Sequence, residues 1–294
     1  MYTRIDVARH IVLSVSHGVD GLGAGCAMYS HLLRMNTKVT LFCATSPLDP
    51  TFAFLPWFAK VTARFPADAD LLIRFGSSQS EVSGYEGESI TIDHHTDGDA
   101  LSITQLLYGW FIAHSIKING KMANALYAGL LDGTRGFSDV RCTGATFAMA
   151  EALIGLGADH ALCAEALVYT RSLAFLRMKS AMLGRMKLLL NGRVALFEVD
   201  ESLLEHTGCD ARGCEVIMDE ALTLKTVKIA LLILEDRYDT GKIFIHSDGK
   251  MTCDTLLYSY GGEGHARRAV AHIAPQTSHE MVKEILKKIT EVIG

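Results

Sequence analysis

The chain has 294 residues, of which 49% are hydrophobic and 21% charged, and its formal net charge is −5. This length accommodates two domains, and the composition is typical of a soluble globular protein. No uncharged apolar stretch reaches about eighteen residues, so we expect no membrane span. The first residues lack a signal-peptide core, and we expect a cytoplasmic location. Because acids outnumber Lys and Arg, the charge does not favour a protein that coats long duplex nucleic acid.

The first half of the chain alternates apolar strands with helical segments. Strands are predicted near 10–16, 38–43, 70–75 and 89–92. Helices are predicted at 22–35, 99–115, 119–131 and 143–155. This alternation is the βα pattern of a parallel sheet that is covered on both faces.

A long helix-compatible stretch without proline runs from Asp159 to Leu190 and ends at Asn191-Gly192. Its methionines Met178, Met182 and Met186 recur every four residues, which predicts core packing or a dimer seam. Beyond it, strands are predicted over Val194–Val199, Val227–Glu235 and Lys242–His246, and helices over Cys253–Tyr260 and Ser278–Val292. We therefore expect a domain over 1–160, a helical linker over 161–191 and a smaller α/β domain over 192–294.

Polar residues follow two of the predicted strands of the first domain. Ile92-Asp93-His94-His95 closes one strand, and Ser16-His17-Gly18-Val19-Asp20-Gly21 leads from another into a helix. Open α/β folds bind ligands at this edge of the sheet, and a helix N-terminus that follows glycines favours an anion. Histidine with aspartate predicts a metal site there, although adjacent histidines in a loop are also commonly solvated or structural.

A third motif, Gly261-Gly262-Glu263-Gly264-His265, lies near the C-terminus. With Ser-His-x-x-Asp-Gly and Ile-Asp-His-His, it resembles the DHH phosphoesterases that carry a DHH-associated C-terminal domain. The most similar group comprises nano-RNases, pAp phosphatases, cyclic-dinucleotide phosphodiesterases and RecJ-like nucleases. The resemblance spans nearly the whole chain. It implies an α/β fold with an N-terminal parallel-sheet, Rossmann-like DHH domain and a smaller C-terminal α/β domain.

Members of this family use divalent cations, usually manganese. The resemblance implies a site for one or two Mn²⁺ ions with the ligands His17, Asp20, Asp93 and His94. It also implies that His95 either supports a metal ligand or contacts the phosphate, and we expect His95 and Arg135 to stabilise the charge that develops during hydrolysis.

Several positions depart from the family pattern. The bridging carboxylate position falls on Gly76, and the position of the last aspartate falls on Gly133. Asp132, one place earlier, is the candidate replacement. The first motif is one residue short, and Leu22 stands where many members carry a second acid. Since two ions need several carboxylates, the remaining set suits one softer cation better than a hard pair. Asp97 and Asp99 follow the histidine pair, either as further ligands or as ordinary turn residues.

The resemblance further implies that the C-terminal domain holds the nucleotide. We expect the substrate-binding residues to be Gly261, Gly262, Gly264, His265, Arg267 and His246. Two positions weaken this expectation, since Glu263 replaces a usual glycine and His246 stands where many relatives place an arginine. Taken alone, the glycine-rich segment is also compatible with a structural turn.

Two functions follow from these motifs. The first is a metal-dependent phosphodiesterase or phosphatase acting on a linear dinucleotide, pAp or a cyclic dinucleotide. The alternative is a catalytically weakened member that binds a nucleotide or a protein partner, which Gly76 and Gly133 favour. A third interpretation, a generic nucleotide binder with coincidental motifs, conflicts with three motifs in the same order. The oligomeric state is left open by the sequence, although the resemblance implies a homodimer as one alternative. The seven scattered cysteines indicate reduced thiols.

Overall fold

The structure, a computed structural model, describes residues 2–16, 18–44, 48–76, 85–93, 100–235, 241–249, 252–273 and 275–293. The chain forms two compact units, Met1–Thr170 and Arg171–Gly294. The first contains a parallel sheet with helices and the second a mixed sheet, so the predicted α/β class is confirmed. Within the described ranges, none of the helices combines the length and the apolar character that crossing a membrane requires.

Helices and strands alternate in the first unit after a short N-terminal helix, α1 (Tyr2–Val7). The strands are β1 (His10–Val15), β2 (Lys38–Phe42), β3 (Val61–Thr62), β4 (Leu71–Phe75) and β5 (Glu88–Ile92). The helices are α2 (Val19–Arg34), α3 (Ile103–Ala113), α4 (Gly120–Gly133), α5 (Gly144–Gly155) and α6 (His160–Ala164). The four predicted strands are confirmed, and helix α2 begins earlier than predicted. Helix α1 and strand β3 were not predicted, because they are too short to show the hydrophobic periodicity of a helix or a strand.

The first sheet is parallel, with strand order β3-β2-β1-β4-β5. Strand β1 therefore lies where the order reverses, which is the position where open α/β sheets have their binding crevice. Val15 of β1 pairs with Phe75 of β4, and Phe75 pairs with Ile92 of β5. Because these three residues are in register, the segments that follow the three strands emerge side by side.

Two glycines of α2 allow this helix to pack closely on its neighbours. A β-carbon on Gly23 would lie 2.5 Å from the Ala125 carbonyl oxygen of α4, and one on Gly25 would lie 2.2 Å from Cγ1 of Val15. Helices α2, α3 and α4 contribute to the main core with β1 and β4. Among the described residues, the opposite face is covered not by helices but by loop side chains, namely Phe65, Ala69 and Tyr85.

The second unit contains α7 (Leu173–Arg185), α8 (Glu201–Thr207), α9 (Ala211–Met218), α10 (Cys253–Leu257) and α11 (Pro275–Ile293). Its strands are β6 (Lys187–Leu189), β7 (Val194–Val199), β8 (Ile229–Glu235), β9 (Gly241–Ser247), β10 (Glu263–His265) and β11 (Arg268–Ile273). Their order is β10-β11-β9-β8-β7-β6, and β7 and β8 pair in parallel. One apolar core lies on each face of this sheet.

The predicted helical stretch from Asp159 to Leu190 is wrong in two places. The backbone is extended at Thr170, and residues 187–189 form strand β6 rather than helix. Met178 and Met182 are buried in the core of the second unit, which agrees with core packing. Helices α8 and α9 and the strands β6, β10 and β11 were not predicted as such, because short elements in a mixed sheet carry a weak periodic signal.

Candidate functional site

The strand ends of the first sheet bring three segments of the predicted site together. Ser16 follows β1, Gly76 follows β4 and Asp93 follows β5, and the Gly76 amide donates to the Ile92 carbonyl over 3.0 Å. Asp93 is buried. The other predicted residues of this edge, His17, His94, His95, Asp97 and Asp99, lie outside the described residues.

Asp20, in the first turn of α2, is bonded to the N-terminus of α3. Its Oδ2 accepts a hydrogen bond from the Ile103 amide over 2.6 Å, and its Oδ1 accepts from the amide and the hydroxyl of Thr104, each over 2.9 Å. Ile103 and Thr104 are the first two residues of α3, whose amides have no acceptor within the helix. The carboxylate also interacts favourably with the positive end of the helix dipole. Asp20 therefore fixes the start of α3 beside the ends of the strands.

Asp132, near the end of α4, is the electrostatic neighbour of Asp20. Its carboxylate accepts a hydrogen bond from the Asp20 amide, and the negative charge of Asp132 acts on the Asp20 carboxyl. Burial raises the pKa of Asp20 to about 7, against the lowering effect of the Thr104 and Ile103 amides. The protein that surrounds the carboxyl of Asp132 also raises its pKa. Because the residue as a whole is exposed, water screens this effect. The structure thus joins two acids that are far apart in the sequence.

The two glycines at expected ligand positions have structural causes. Gly76 has φ +107°, a conformation that strains any residue with a β-carbon. A β-carbon on Gly133 would lie 2.6 Å from Cβ of Ser102 and 2.8 Å from the Leu101 carbonyl oxygen. The segment that leads into α3 therefore occupies the space where a carboxylate at position 133 would stand. Neither position can regain its side chain without movement of the backbone.

The donors that are present fit one divalent cation better than two. Carboxylate oxygens are suitable ligands for Mn²⁺ or Mg²⁺, and the raised pKa values of Asp20 and Asp132 show a carboxyl pair that a cation would stabilise in its charged form. A pair of ions needs additional carboxylates to offset four positive charges. Among the described residues, no group of three or more His, Cys, Asp or Glu side chains forms a metal cluster.

A strained turn follows α4 and carries Arg135. Arg135, Gly136 and Phe137 have φ values of 52°, 66° and 64°, which is a left-handed run with two non-glycine residues. The Gly136 amide donates to the Leu131 carbonyl over 2.7 Å, and the Thr134 hydroxyl accepts from the Phe137 amide over 3.1 Å. The turn holds the exposed Arg135 three residues beyond Asp132.

In the second unit, three of the predicted substrate-binding positions belong to one region of the sheet. His265 of β10 pairs with Arg268 of β11, and Arg268 pairs with His246 of β9. Gly264 has φ +148°, and a β-carbon there would lie 2.3 Å from the Arg268 carbonyl oxygen. Gly264 is therefore required by the close approach of β10 and β11. Gly261, with φ +68°, has open space where its side chain would be.

Gly262 and Arg267 complete the predicted set in the second unit. A β-carbon on Gly262 would lie 2.5 Å from Cβ of Leu257, so this glycine also serves packing. The Arg267 guanidinium lies against Gly249, with its Nη2 only 2.7 Å from the position of a β-carbon there. These contacts place Arg267 at the turn after β9.

Sequence reasoning missed Asp219, which follows α9. Its Oδ1 is 2.6 Å from Nδ1 of His246, and its Oδ2 accepts from Nη2 of Arg268 over 2.7 Å. The sequence does predict Arg268, like Arg135 and Arg267, as a local basic group at a phosphate position, but it does not indicate what orients Arg268. The pairing of β9 with β11 creates this group, so no local pattern in the sequence indicates it.

Similarity to known proteins is found in sequence and in structure, while no family model matches the chain. In sequence it is similar to the bifunctional oligoribonuclease and PAP phosphatase NrnA of Bacillus subtilis (strain 168), with 22% identity over 291 residues, which is 93% of this chain and 90% of the relative.

Solved structures extend the likeness. An exopolyphosphatase-related protein from Bacteroides fragilis superposes with a TM-score of 0.87 at 18% identity, covering 99% of this chain and 96% of that one. RecJ from Thermus thermophilus in complex with Mn²⁺ superposes with a TM-score of 0.59 at 14% identity, covering 98% of this chain and 54% of RecJ. These findings confirm the resemblance to the DHH phosphoesterases, and the chain has their fold.

Proposed function

We propose that this protein is a divalent-cation-dependent phosphoesterase that hydrolyses a short nucleotide, such as a linear dinucleotide, pAp or a cyclic dinucleotide. The observation that carries the proposal is the meeting of Asp20 and Asp132 beside the strand ends, on the edge that Asp93 also occupies. The likeness over 93% of the chain to a protein named as an oligoribonuclease and PAP phosphatase supports it. A cytoplasmic location and a homodimer belong to the same proposal.

The residues proposed to hold the cation are His17, Asp20, Asp93, His94 and Asp132, although the three acids do not by themselves form a metal cluster among the described residues, and Mn²⁺ is the ion proposed. When bound, it would supply Lewis-acid stabilisation to the phosphoryl oxygens. His95 and Arg135 would donate hydrogen bonds to the phosphate, and Arg135 would offset the negative charge that develops on it. Asp20 would orient the start of α3 through its three hydrogen bonds while sharing the cation.

The second unit would bind a nucleotide through its predicted binding residues. This unit would orient the nucleotide rather than take part in the reaction. A short nucleotide carries few charges and needs few cations to be bound, so long duplex nucleic acid is not the expected partner. The residues proposed for this role are Gly261, Gly262, Gly264, His265 and Arg267, while the buried His246 would act through its contact with Asp219.

A second function, nucleotide binding without hydrolysis, has a specific observation in its favour. The backbone at Gly76 and the crowding at Gly133 exclude the two carboxylates that the family pattern calls for. A site that lacks them retains the phosphate-binding groups but offsets less positive charge. The two functions share a ligand and differ in turnover.

Release of mononucleotide from pApA, pAp and cyclic di-AMP, measured in millimolar Mn²⁺ with a matched EDTA sample, separates them. We expect Mn²⁺-dependent turnover that Asp93→Asn and His94→Ala abolish, while Asp49→Asn, an exposed acid that caps a short helix, leaves it unchanged. Binding of the same nucleotides without turnover would establish the second function. Metal content of each variant, measured by mass spectrometry, shows whether a lost activity reflects a lost ion.

A further inference from the structure

We infer that Arg268 is the principal phosphate-binding cation of the second unit and that Asp219 is the residue that positions it. This inference rests on the proposed function, since it names the group that recognises an anionic end of the nucleotide. The contacts, the exposure and the charges around strands β9 and β11 support it.

Asp219 connects three elements through one carboxylate. It follows α9, its Oδ1 is bonded to His246 of β9, and its Oδ2 is bonded to Arg268 of β11. Because Oδ1 is held by the buried His246, the carboxylate is fixed with its Oδ2 in place to accept from Arg268. The Arg268 guanidinium is consequently held in one orientation before a ligand arrives.

Exposure separates the two basic partners of Asp219. The side chain of His246 is 3% exposed, whereas that of Arg268 is 39% exposed. Solvent therefore reaches the guanidinium, and a dissolved anion can reach it too. His246 lies beneath, where it supports the carboxylate that orients Arg268.

The surrounding charges favour an anion. Arg212 and Lys242 are exposed, and both act electrostatically on Glu215 together with Arg268. Burial raises the pKa of Glu215, while the neighbouring cations lower it. Three cations therefore lie near two acids, Glu215 and Asp219, in a protein whose overall charge is negative. This local excess of positive charge is what a phosphate group would neutralise.

The position of Arg268 also suits the glycine-rich hairpin. Arg268 is the register partner of His265, and Gly261 at the turn has open space beside it. A ligand that approaches this hairpin meets a planar guanidinium, which binds phosphate oxygens with two parallel hydrogen bonds. The chemical class recognised is therefore a phosphate monoester or diester.

Binding of pAp and of inorganic phosphate, measured by titration calorimetry with and without Mn²⁺, tests the inference. We expect Arg268→Gln to weaken pAp binding by about 10- to 100-fold, as expected when a charge-assisted hydrogen bond is lost. Asp219→Asn should weaken it by a smaller factor, and Asp219→Glu should recover part of the loss. The double variant should bind no more weakly than Arg268→Gln alone, because Asp219 acts through Arg268. Arg177→Gln, an exposed arginine of α7, is the matched control.

The outcomes distinguish this inference from the proposed function. If Arg268→Gln weakens pAp binding in a protein that shows no nucleotide turnover, the inference stands and the proposed enzymatic function is contradicted. If the protein turns over nucleotide and the affinity of Arg268→Gln lies within about twofold of that of the parent chain, the proposed function stands and the inference is contradicted. Failure of the parent chain to bind pAp or phosphate at millimolar concentration would also overturn the inference. If Asp219→Asn does not fold, the Arg268→Lys variant is measured instead. If the role of Arg268 is purely structural, this replacement lowers the melting temperature without changing the affinity for pAp, and the inference is contradicted.

Discussion

Replacing Asp20 with alanine should destabilise the first unit strongly, even without metal. The change leaves the amides of Ile103 and Thr104 without their acceptor and removes the partner of the Thr104 hydroxyl. Each buried amide that loses its partner costs about 1–3 kcal/mol. Because Asp20 is half-buried, water that enters reduces the total, and we expect a loss of about 2–5 kcal/mol.

The tryptophans provide a selective assay. The chain has two tryptophans, Trp57 and Trp110, and both belong to the first unit. Urea unfolding in EDTA, followed by tryptophan fluorescence, therefore reports the unit that contains Asp20 without the second unit's transition. The EDTA removes any contribution from a bound cation, so the measured change reflects the anchoring of α3 alone.

Two further variants make this prediction refutable. Asp49→Ala is the matched control, because Asp49 caps an exposed single-turn helix through the Thr51 amide at 2.9 Å and should cost less than about 1 kcal/mol. A double-mutant cycle with Thr104→Val should give a coupling of about 1 kcal/mol with Asp20→Ala. If Asp20→Ala costs no more than Asp49→Ala, the carboxylate does not anchor α3, and its role would be confined to the cation.

Two more predictions concern the glycine site and acid stability. Gly133→Asp should destabilise the first unit by about 1–3 kcal/mol without raising phosphoesterase activity, because its β-carbon meets Ser102; a stable variant with higher turnover would contradict the crowding. The Arg141 guanidinium lowers the pKa of Asp139 to about 2, so this acid stabilises the folded state above about pH 4 and loses that effect as the pH falls towards 2. Since Arg141 is 55% exposed, we expect Asp139→Asn to lower the free energy of unfolding by only about 1 kcal/mol at neutral pH. In urea unfolding, the variant's free energy of unfolding should also depend less on pH between about pH 4 and pH 2. If the pH dependence of the unfolding free energy is unchanged in this range, the ion pair does not stabilise the folded state.

The sequence alone was enough to predict the first sheet. Strands such as His10–Val15 and Leu71–Phe75 are apolar runs bounded by polar residues, and the apolar spacing in the helices has its own period. These patterns involve residues that are close in the sequence, so they can be recognised without knowledge of the fold. The order of the motifs was also enough to suggest the DHH phosphoesterase resemblance, which the comparisons confirm. Where the local period was weak, as at Lys187–Leu189, the prediction failed.

Only the tertiary structure decided which polar groups meet. The Asp20 carboxylate accepts from an amide 83 positions away, and Asp219 joins His246 to Arg268 through the pairing of two strands. In the sequence, Gly133 is only a missing ligand. The structure supplies the reason, because the backbone before α3 fills the space beside Gly133. Contacts between distant segments depend on strand register and helix packing, and neither is encoded in any short window of residues.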